Sequence, residues 1–273
     1  MTLHASNVSW KRGGTLVVDG VTLHPGPGRM VGLLGPNGSG KSSLLQLMAG
    51  AAKPTSGVIE LDGAELSSIR RKEVARAVAV VGQHAHTDVD VTVRDVVRLG
   101  RIPHRGAFGG NDADEDAVTD ALMQTGLTDK ADRLWRALSG GEQQRTHIAR
   151  ALAQQPREML LDEPTNHLDI HHQLELLALV ARLPITSIVA LHDLNLAAMF
   201  CDEVLVLKAG TVVAGGRPAD VLTEELIAEV YEVRARVSVD GDDSRVHIRF
   251  DAAAGHALFE EKHTAGMRAS SRS

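Results

Sequence analysis

The chain has 273 residues, 43% of them hydrophobic and 23% charged, enough to bury one large α/β core with or without an inserted subdomain. A formal charge of −6 and only 3% aromatics argue against nucleic acid as the main partner, which needs a basic or stacking face. A single cysteine, Cys201, excludes an intrachain disulfide and a cysteine-based zinc site. It has no basic neighbour in sequence and reads as a small apolar residue. No apolar run reaches the ~18 residues of a membrane span, and Met1 to Trp10 lacks the pattern of a signal peptide. Any membrane association is therefore expected to come through a partner.

In chain order, Leu3 to Trp10 and Gly14 to Leu23 read as two short strands about the turn Lys11 to Gly14. Trp10 is placed either to stack on an adenine base or to fill a strand face, and position alone does not separate the two. Met30 to Leu34 reads as a buried strand. It leads into Gly35-Pro36-Asn37-Gly38-Ser39-Gly40-Lys41-Ser42, which fits G-x-x-x-x-G-K-[ST], and Ser43 to Ala49 leads out as a helix. Glycines let backbone N–H groups turn inward around a polyphosphate, and the helix N-terminus adds favourable partial charge. Lys41 reaches the outer phosphates and the Ser42 hydroxyl joins a Mg²⁺ shell. This stretch predicts a nucleoside triphosphate site.

Ser56 to Gly63 reads as a hairpin strand, and Arg70 to Arg76 as a basic helical piece with a solvated face. Ala77 to Val81 is a further buried strand ending at Gly82-Gln83. A helical region follows to about residue 155, with helices over Val91 to Leu99, Asp112 to Thr125 and Gly141 to Gln155 and a loop from Arg101 to Gly110. The acidic group Asp112, Asp114, Glu115 and Asp116 suits the positive end of its helix.

The third helix opens with Leu138-Ser139-Gly140-Gly141-Glu142-Gln143. Ser139 and Glu142 make a capping box, but two glycines weaken a first turn unless something approaches the backbone closely. A second anion-binding helix end, beside a loop that already cradles its own nucleotide, points to a ligand shared between two copies. Met159-Leu160-Leu161 is a short strand ending at Asp162-Glu163, where an α/β sheet binds its ligand. Asp162 would hold Mg²⁺ and Glu163 would orient the attacking water. A helix over Ile170 to Arg182 and a strand over Ile185 to Leu191 follow. His192 ends that strand as a γ-phosphate contact, and Gln83 stands likewise to sense Mg²⁺ or the water.

Beyond this, Leu194 to Met199 and Pro218 to Tyr231 are predicted helical. Val204 to Leu207 pairs with Thr211 to Ala214, and Arg234 to Val239 with Arg245 to Phe250. Residues 265–273 are expected to be disordered.

The order of the phosphate loop, Gln83, Leu138 to Gln143, Asp162-Glu163, Leu168-Asp169 and His192 resembles the ATP-binding subunits of ABC transporters, from Leu3 to about Phe250. The resemblance implies a P-loop ABC-type nucleotide-binding domain over residues 1–250. It carries an antiparallel β subdomain and a helical subdomain at about 84–155, with a tail at 251–273. It implies a head-to-tail homodimer with ATP and Mg²⁺ at the interface. Each ATP would contact Gly35, Asn37, Gly38, Ser39, Gly40, Lys41, Ser42 and Ser43 of one copy and Ser139-Gly140-Gly141 of the other. Asp169 would act across the interface, Ser42, Gln83 and Asp162 would serve the metal, and Gln83 would face the permease.

Val93 to Arg105, Asp162 to Ile170 and Leu191 to Asn195 are similar to the narrower group that imports iron-siderophore complexes, haem and cobalamin. That likeness implies a peripheral subunit on the cytoplasmic face of the membrane, with a permease and, indirectly, a solute-binding protein as partners. His167, His171 and His172 lack a third ligand type nearby and are not read as a zinc site. Ser43 replaces the family's commoner threonine and Gly82 its proline. Glu158 replaces an apolar residue, so its strand is expected to be short or to start at an exposed edge. The alternative class, a non-transport ABC ATPase acting on ribosomes or DNA, usually has two cassettes or a long coiled coil, and neither is present here.

Overall fold

The computed structural model describes residues 3–82, 90–105, 112–239 and 246–251. Its elements are β1 (Leu3–Arg12), β2 (Thr15–Leu23), β3 (Met30–Leu34), α1 (Lys41–Met48), β4 (Ser56–Leu61), β5 (Ala64–Glu65), α2 (Arg71–Ala77) and β6 (Val78–Val81). Then follow α3 (Val93–Arg98), α4 (Asp112–Gln124), α5 (Gly140–Ala153), β7 (Glu158–Asp162), α6 (Ile170–Ala181), β8 (Thr186–Ala190) and α7 (Leu194–Phe200). The C-terminal part holds β9 (Glu203–Lys208), β10 (Thr211–Gly216), α8 (Pro218–Val221), α9 (Glu224–Tyr231), β11 (Ala235–Val239) and β12 (Val246–Phe250).

A six-stranded sheet runs in the order β10-β9-β3-β8-β7-β6, parallel except at the β9–β10 pair. Its central strands read as unbroken apolar runs because both faces are covered, and every residue of β3 and β8 is buried. Leu33, Ala190 and Asp162 stand in one register row across β3, β8 and β7. The three chain segments that follow therefore leave the sheet at one level, at its carboxyl edge.

A second, antiparallel sheet has the order β2-β1-β4-β5. The core between the two sheets holds Leu44, Leu47 and Met48 of α1 against Leu3, Val8, Leu33 and Ile188. Truncating a side chain such as Leu44 to alanine there costs about 2–5 kcal/mol. On the other face Met159, Leu161 and Val189 pack against α6, α7, α9 and Ile248. A third core, built on Val97, Val118, Leu122, Leu127 and Trp135, holds α3, α4 and α5 together.

Four expectations change. Glu158 is no edge residue: β7 starts at it, and it is 2% exposed in the seam beside Leu3 and Thr186. Burial pushes its carboxyl up to about 7, with the Leu3 N–H and the Thr186 hydroxyl opposing, so the group sits there near neutrality. Pro218 to Tyr231 is two helices, because Thr223 caps a new start by accepting from the Leu226 N–H at 3.2 Å. Asp114 does not sit free at a helix end; it is buried and pairs with buried Arg101 at 2.8 Å. The basic stretch after Arg70 is turned partly inward: Lys72 donates to the Arg105 carbonyl at 2.7 Å and Arg76 to that of Pro103 at 2.9 Å. Gln83, Arg245 and the tail from residue 252 lie outside the described residues.

Candidate functional site

The loop after β3 is bent by residues that only glycine suits. Gly40 has φ 105°, and a Cβ on it would stand 2.6 Å from the Val17 carbonyl oxygen. Gly35 has φ 140° and is pressed onto the Leu207 carbonyl. Asn37 and Gly38 form the exposed tip, while Ser39 is buried with a hydroxyl that has no hydrogen-bond partner. Lys41, only 4% exposed, donates to the carbonyls of Gly35 at 2.7 Å and Pro36 at 3.2 Å. Burial lowers its pKa, and the carboxylates of Glu163 and Asp162 oppose that shift. The ammonium is thus parked on main-chain oxygens, a weak substitute for phosphate.

Ser42 donates to Asp162 Oδ1 at 2.8 Å. Burial raises the Asp162 pKa, Glu163 adds to the rise, and the Ser42 hydroxyl and the Lys41 charge work against it. A hydroxyl and a carboxylate placed together at a half-buried strand end are hard oxygen donors, the set that suits Mg²⁺. Ser43 follows, partly buried, in the first turn of α1.

Glu163 is held at both oxygens. Its Oε1 lies 2.5 Å from His192 Nε2, and its Oε2 accepts from Asn166 Nδ2 at 2.6 Å. Its backbone has φ 51°, in the left-handed region that a non-glycine residue enters only when its surroundings hold it. His192 is set by Asp193, which caps α7 by accepting from the N–H groups of Asn195 and Leu196. Asn166 carries no role in the sequence reading. Its place three residues after Glu163 was the available signal, since Asn side chains turn back onto nearby groups in turns.

The Ser139 turn belongs to a separate cluster. Ser139 and Glu142 make the full capping box, and Lys130 reaches Glu142 at 2.8 Å. The Lys130 contact, foremost, and the Ser139 N–H hold the Glu142 carboxyl down at about 2. The close approach that Gly141 permits is made, within this chain, by the His172 ring. His172 Nδ1 in turn lies 2.7 Å from Asp169 Oδ1, and Asp169 caps α6. His171 leans toward Glu175 at 3.4 Å, away from any shared ligand position with His172. No hydrogen bond or ion pair among the described residues joins Ser139, Gly140 or Gly141 to the Gly35–Ser42 loop. Trp10, paired with Val18, is partly buried against the core between the sheets.

A cleft of about 1210 Å³ runs from Ser42 and Asp162 outward past Gln46, Arg71 and Arg150. Its lining includes Val80, Leu99 and Ile102, which are exposed.

Comparison with known proteins agrees with this geometry. The family model described as "ABC transporter" matches residues 18–166. The hemin import ATP-binding protein HmuV of Bordetella avium is 42% identical over 249 residues, which cover 87% of this chain and 94% of that protein. The ferric enterobactin transport ATP-binding protein FepC of Escherichia coli is 40% identical, covering 82% and 84%. The cobalamin import ATP-binding protein BtuD of Halobacterium salinarum is also 40% identical, covering 88% of this chain, but the match spans only 61% of that protein's length. Among solved structures, an inward-facing, putative metal-chelate type ABC transporter superposes with a TM-score of 0.80 at 25% identity, covering 93% of this chain and 98% of the other. A bacterial ABC transporter cassette solved as a dimer gives 0.68 at 29% identity, covering 80% and 99%. The chain belongs to the ABC transporter family, as one of its ATPase cassettes.

Proposed function

We propose that this chain is the ATP-hydrolysing subunit of an importer for an iron chelate, haem or cobalamin, bound peripherally to a separate membrane permease. One observation carries the catalytic half of that reading: three adjacent strand ends bring Lys41-Ser42, Asp162-Glu163 and His192 to one level, with Glu163 clamped between His192 and Asn166. The relatives named for hemin, enterobactin and cobalamin support the cargo class.

In this reading Gly35, Asn37, Gly38, Ser39, Gly40 and Ser43 surround the phosphates, and Lys41 leaves its two carbonyls for them. The buried, unpartnered Ser39 hydroxyl supplies a further donor. Ser42 and Asp162 hold Mg²⁺, with Gln83 as a further contact; when bound, the ion neutralises charge on the phosphates. Glu163 takes the proton of the attacking water, and His192 keeps that carboxylate oriented while reaching toward the γ-phosphate. Ser139, Gly140, Gly141 and Asp169 act on the nucleotide of a second copy. The solved dimeric cassette supports that arrangement, as does a Ser139 turn with no bond to its own loop. Because ATP favours the closed pair over the open one, that difference in affinity drives the permease. The cleft ending at Val80, Leu99 and Ile102 receives the permease, and a solute-binding protein is reached only through it.

Glu163→Gln tests the chemistry. ATP binding should persist while turnover falls by roughly 10²–10⁴, the worth of a general base; full turnover overturns the assignment. Purification from membranes tests the partner: a polytopic permease should come down with the chain, and its replacement by ribosomes or DNA would overturn the transport reading.

A further inference from the structure

Tyr231 ends α9, far in sequence from the phosphate loop, and its side chain packs on the core beneath the six-stranded sheet. Its hydroxyl is buried and meets no aligned partner, yet it lies beside the backbone of Gly35, close enough to feel that N–H. A hydroxyl shut away from water without a full hydrogen bond is unfavourable, and phenylalanine would fill the same space without that cost. Burial pushes the phenol up to about 12, with the Gly35 N–H opposing, so it is a neutral group near pH 7.

Other contacts fix the two partners together. Lys208, at the end of β9, donates to the Glu229 carbonyl of α9 at 2.6 Å. The residue before it, Leu207, carries the carbonyl against which Gly35 is pressed. Gly35 also supplies the carbonyl that holds the Lys41 ammonium at 2.7 Å. The end of α9, the end of β9 and the first turn of the phosphate loop thus form one closed set of contacts.

We infer that Tyr231 is a positioning residue for the phosphate loop: its hydroxyl oxygen takes up the Gly35 N–H once Lys41 turns to a triphosphate, and so holds the loop in its binding shape. The inference rests on the reading of Gly35–Ser42 as the ATP site. Tyr231 touches no reacting atom, so its loss acts on ATP affinity and leaves the chemical step alone.

The experiment measures ATP dissociation constant, KM and kcat in the full chain for Tyr231→Phe, with Lys41→Ala in parallel. The phenylalanine protein should bind ATP about 3- to 10-fold more weakly, the worth of one neutral hydrogen bond, and keep kcat within about 2-fold. An unchanged dissociation constant, or an equal fall in kcat with no change in KM, overturns the inference. Lys41→Ala separates the two levels: if it still binds ATP, the reading of the site itself is wrong. If it loses ATP while Tyr231→Phe binds normally, only the tyrosine's role falls. Lys208→Met, which frees α9 while leaving the hydroxyl in place, should weaken binding in the same direction, and no effect there would also count against the link.

Discussion

The imidazole of His172 lies across Gly141 so closely that a Cβ at position 141 would stand inside the ring. The same ring is tied to Asp169, so one histidine couples the first turn of α5 to the cap of α6. Gly141→Ala should therefore push His172 off Asp169 and destabilise the fold by about 1–3 kcal/mol, the usual cost of overpacking. Adding His172→Ala should restore the melting temperature, because the clash is then gone. ATPase activity should stay low in that double variant if Gly141 also approaches the phosphates of a second copy. Full recovery of activity would reduce Gly141 to a packing residue. Thermal melts and turnover of the two single variants and the double variant read both outcomes.

Glu163 depends on two neighbours of different kinds. His192 and Asn166 each hold one oxygen, so neither alone fixes the carboxylate plane. Asn166→Ala should lower kcat by about 10-fold, a typical penalty for losing a group that orients a catalytic one, and leave the KM for ATP unchanged. Asn166→Asp should be worse, since it sets a like charge against Glu163. A KM effect without a kcat effect would place Asn166 in nucleotide binding. Steady-state kinetics at saturating Mg²⁺ separates the two.

Glu158 makes stability depend on pH. Its folded pKa of about 7 lies above the ordinary 4.5, so the native state favours its protonated form. That contribution is fully present below pH 4.5 and is lost as pH rises through about 7, up to about 3 kcal/mol. The charges that face it, Arg157 and Asp62, are joined to each other at 2.5 Å and respectively lower and raise the Glu158 pKa. Glu158→Gln should flatten the difference in denaturant midpoint between pH 5 and pH 8. Equal slopes in the variant and the parent chain would mean that the carboxyl is already charged in the fold.

What could be read from the sequence follows how local each signal is. The phosphate loop, the Ser139 cap and the buried runs of β3 and β8 are written in consecutive residues, so their spacing alone defines them. The split between α8 and α9 was also local, in Thr223-Glu224-Glu225, but it was hidden by the helical residues on either side. The tie of Ser42 to Asp162 spans 120 residues, yet it was legible, because both groups serve one chemistry. The Tyr231–Gly35, His172–Gly141 and Arg101–Asp114 relationships were not, since each depends on how separate layers come to rest on one another. Glu158 misled for the same reason: a charged residue at the start of a strand looks like an edge until the second sheet covers it.

Ser42 and Asp162 carry the last prediction. The carboxyl of Asp162 is half-buried with a raised pKa, and the Ser42 hydroxyl at 2.8 Å is the hydrogen bond that opposes the rise. Ser42→Ala removes that bond and one oxygen donor together. The Mg²⁺ concentration needed for half-maximal ATPase should rise by about 10- to 100-fold, the range seen when a support of a metal site is lost. Binding of ATP without metal should hardly change, because Lys41 and the loop backbone are untouched. Asp162→Asn should show the same metal dependence, with a larger loss at saturating Mg²⁺. If Ser42→Ala instead weakens metal-free ATP binding and leaves the Mg²⁺ titration alone, the hydroxyl belongs to the phosphate cradle and Asp162 holds the ion without it.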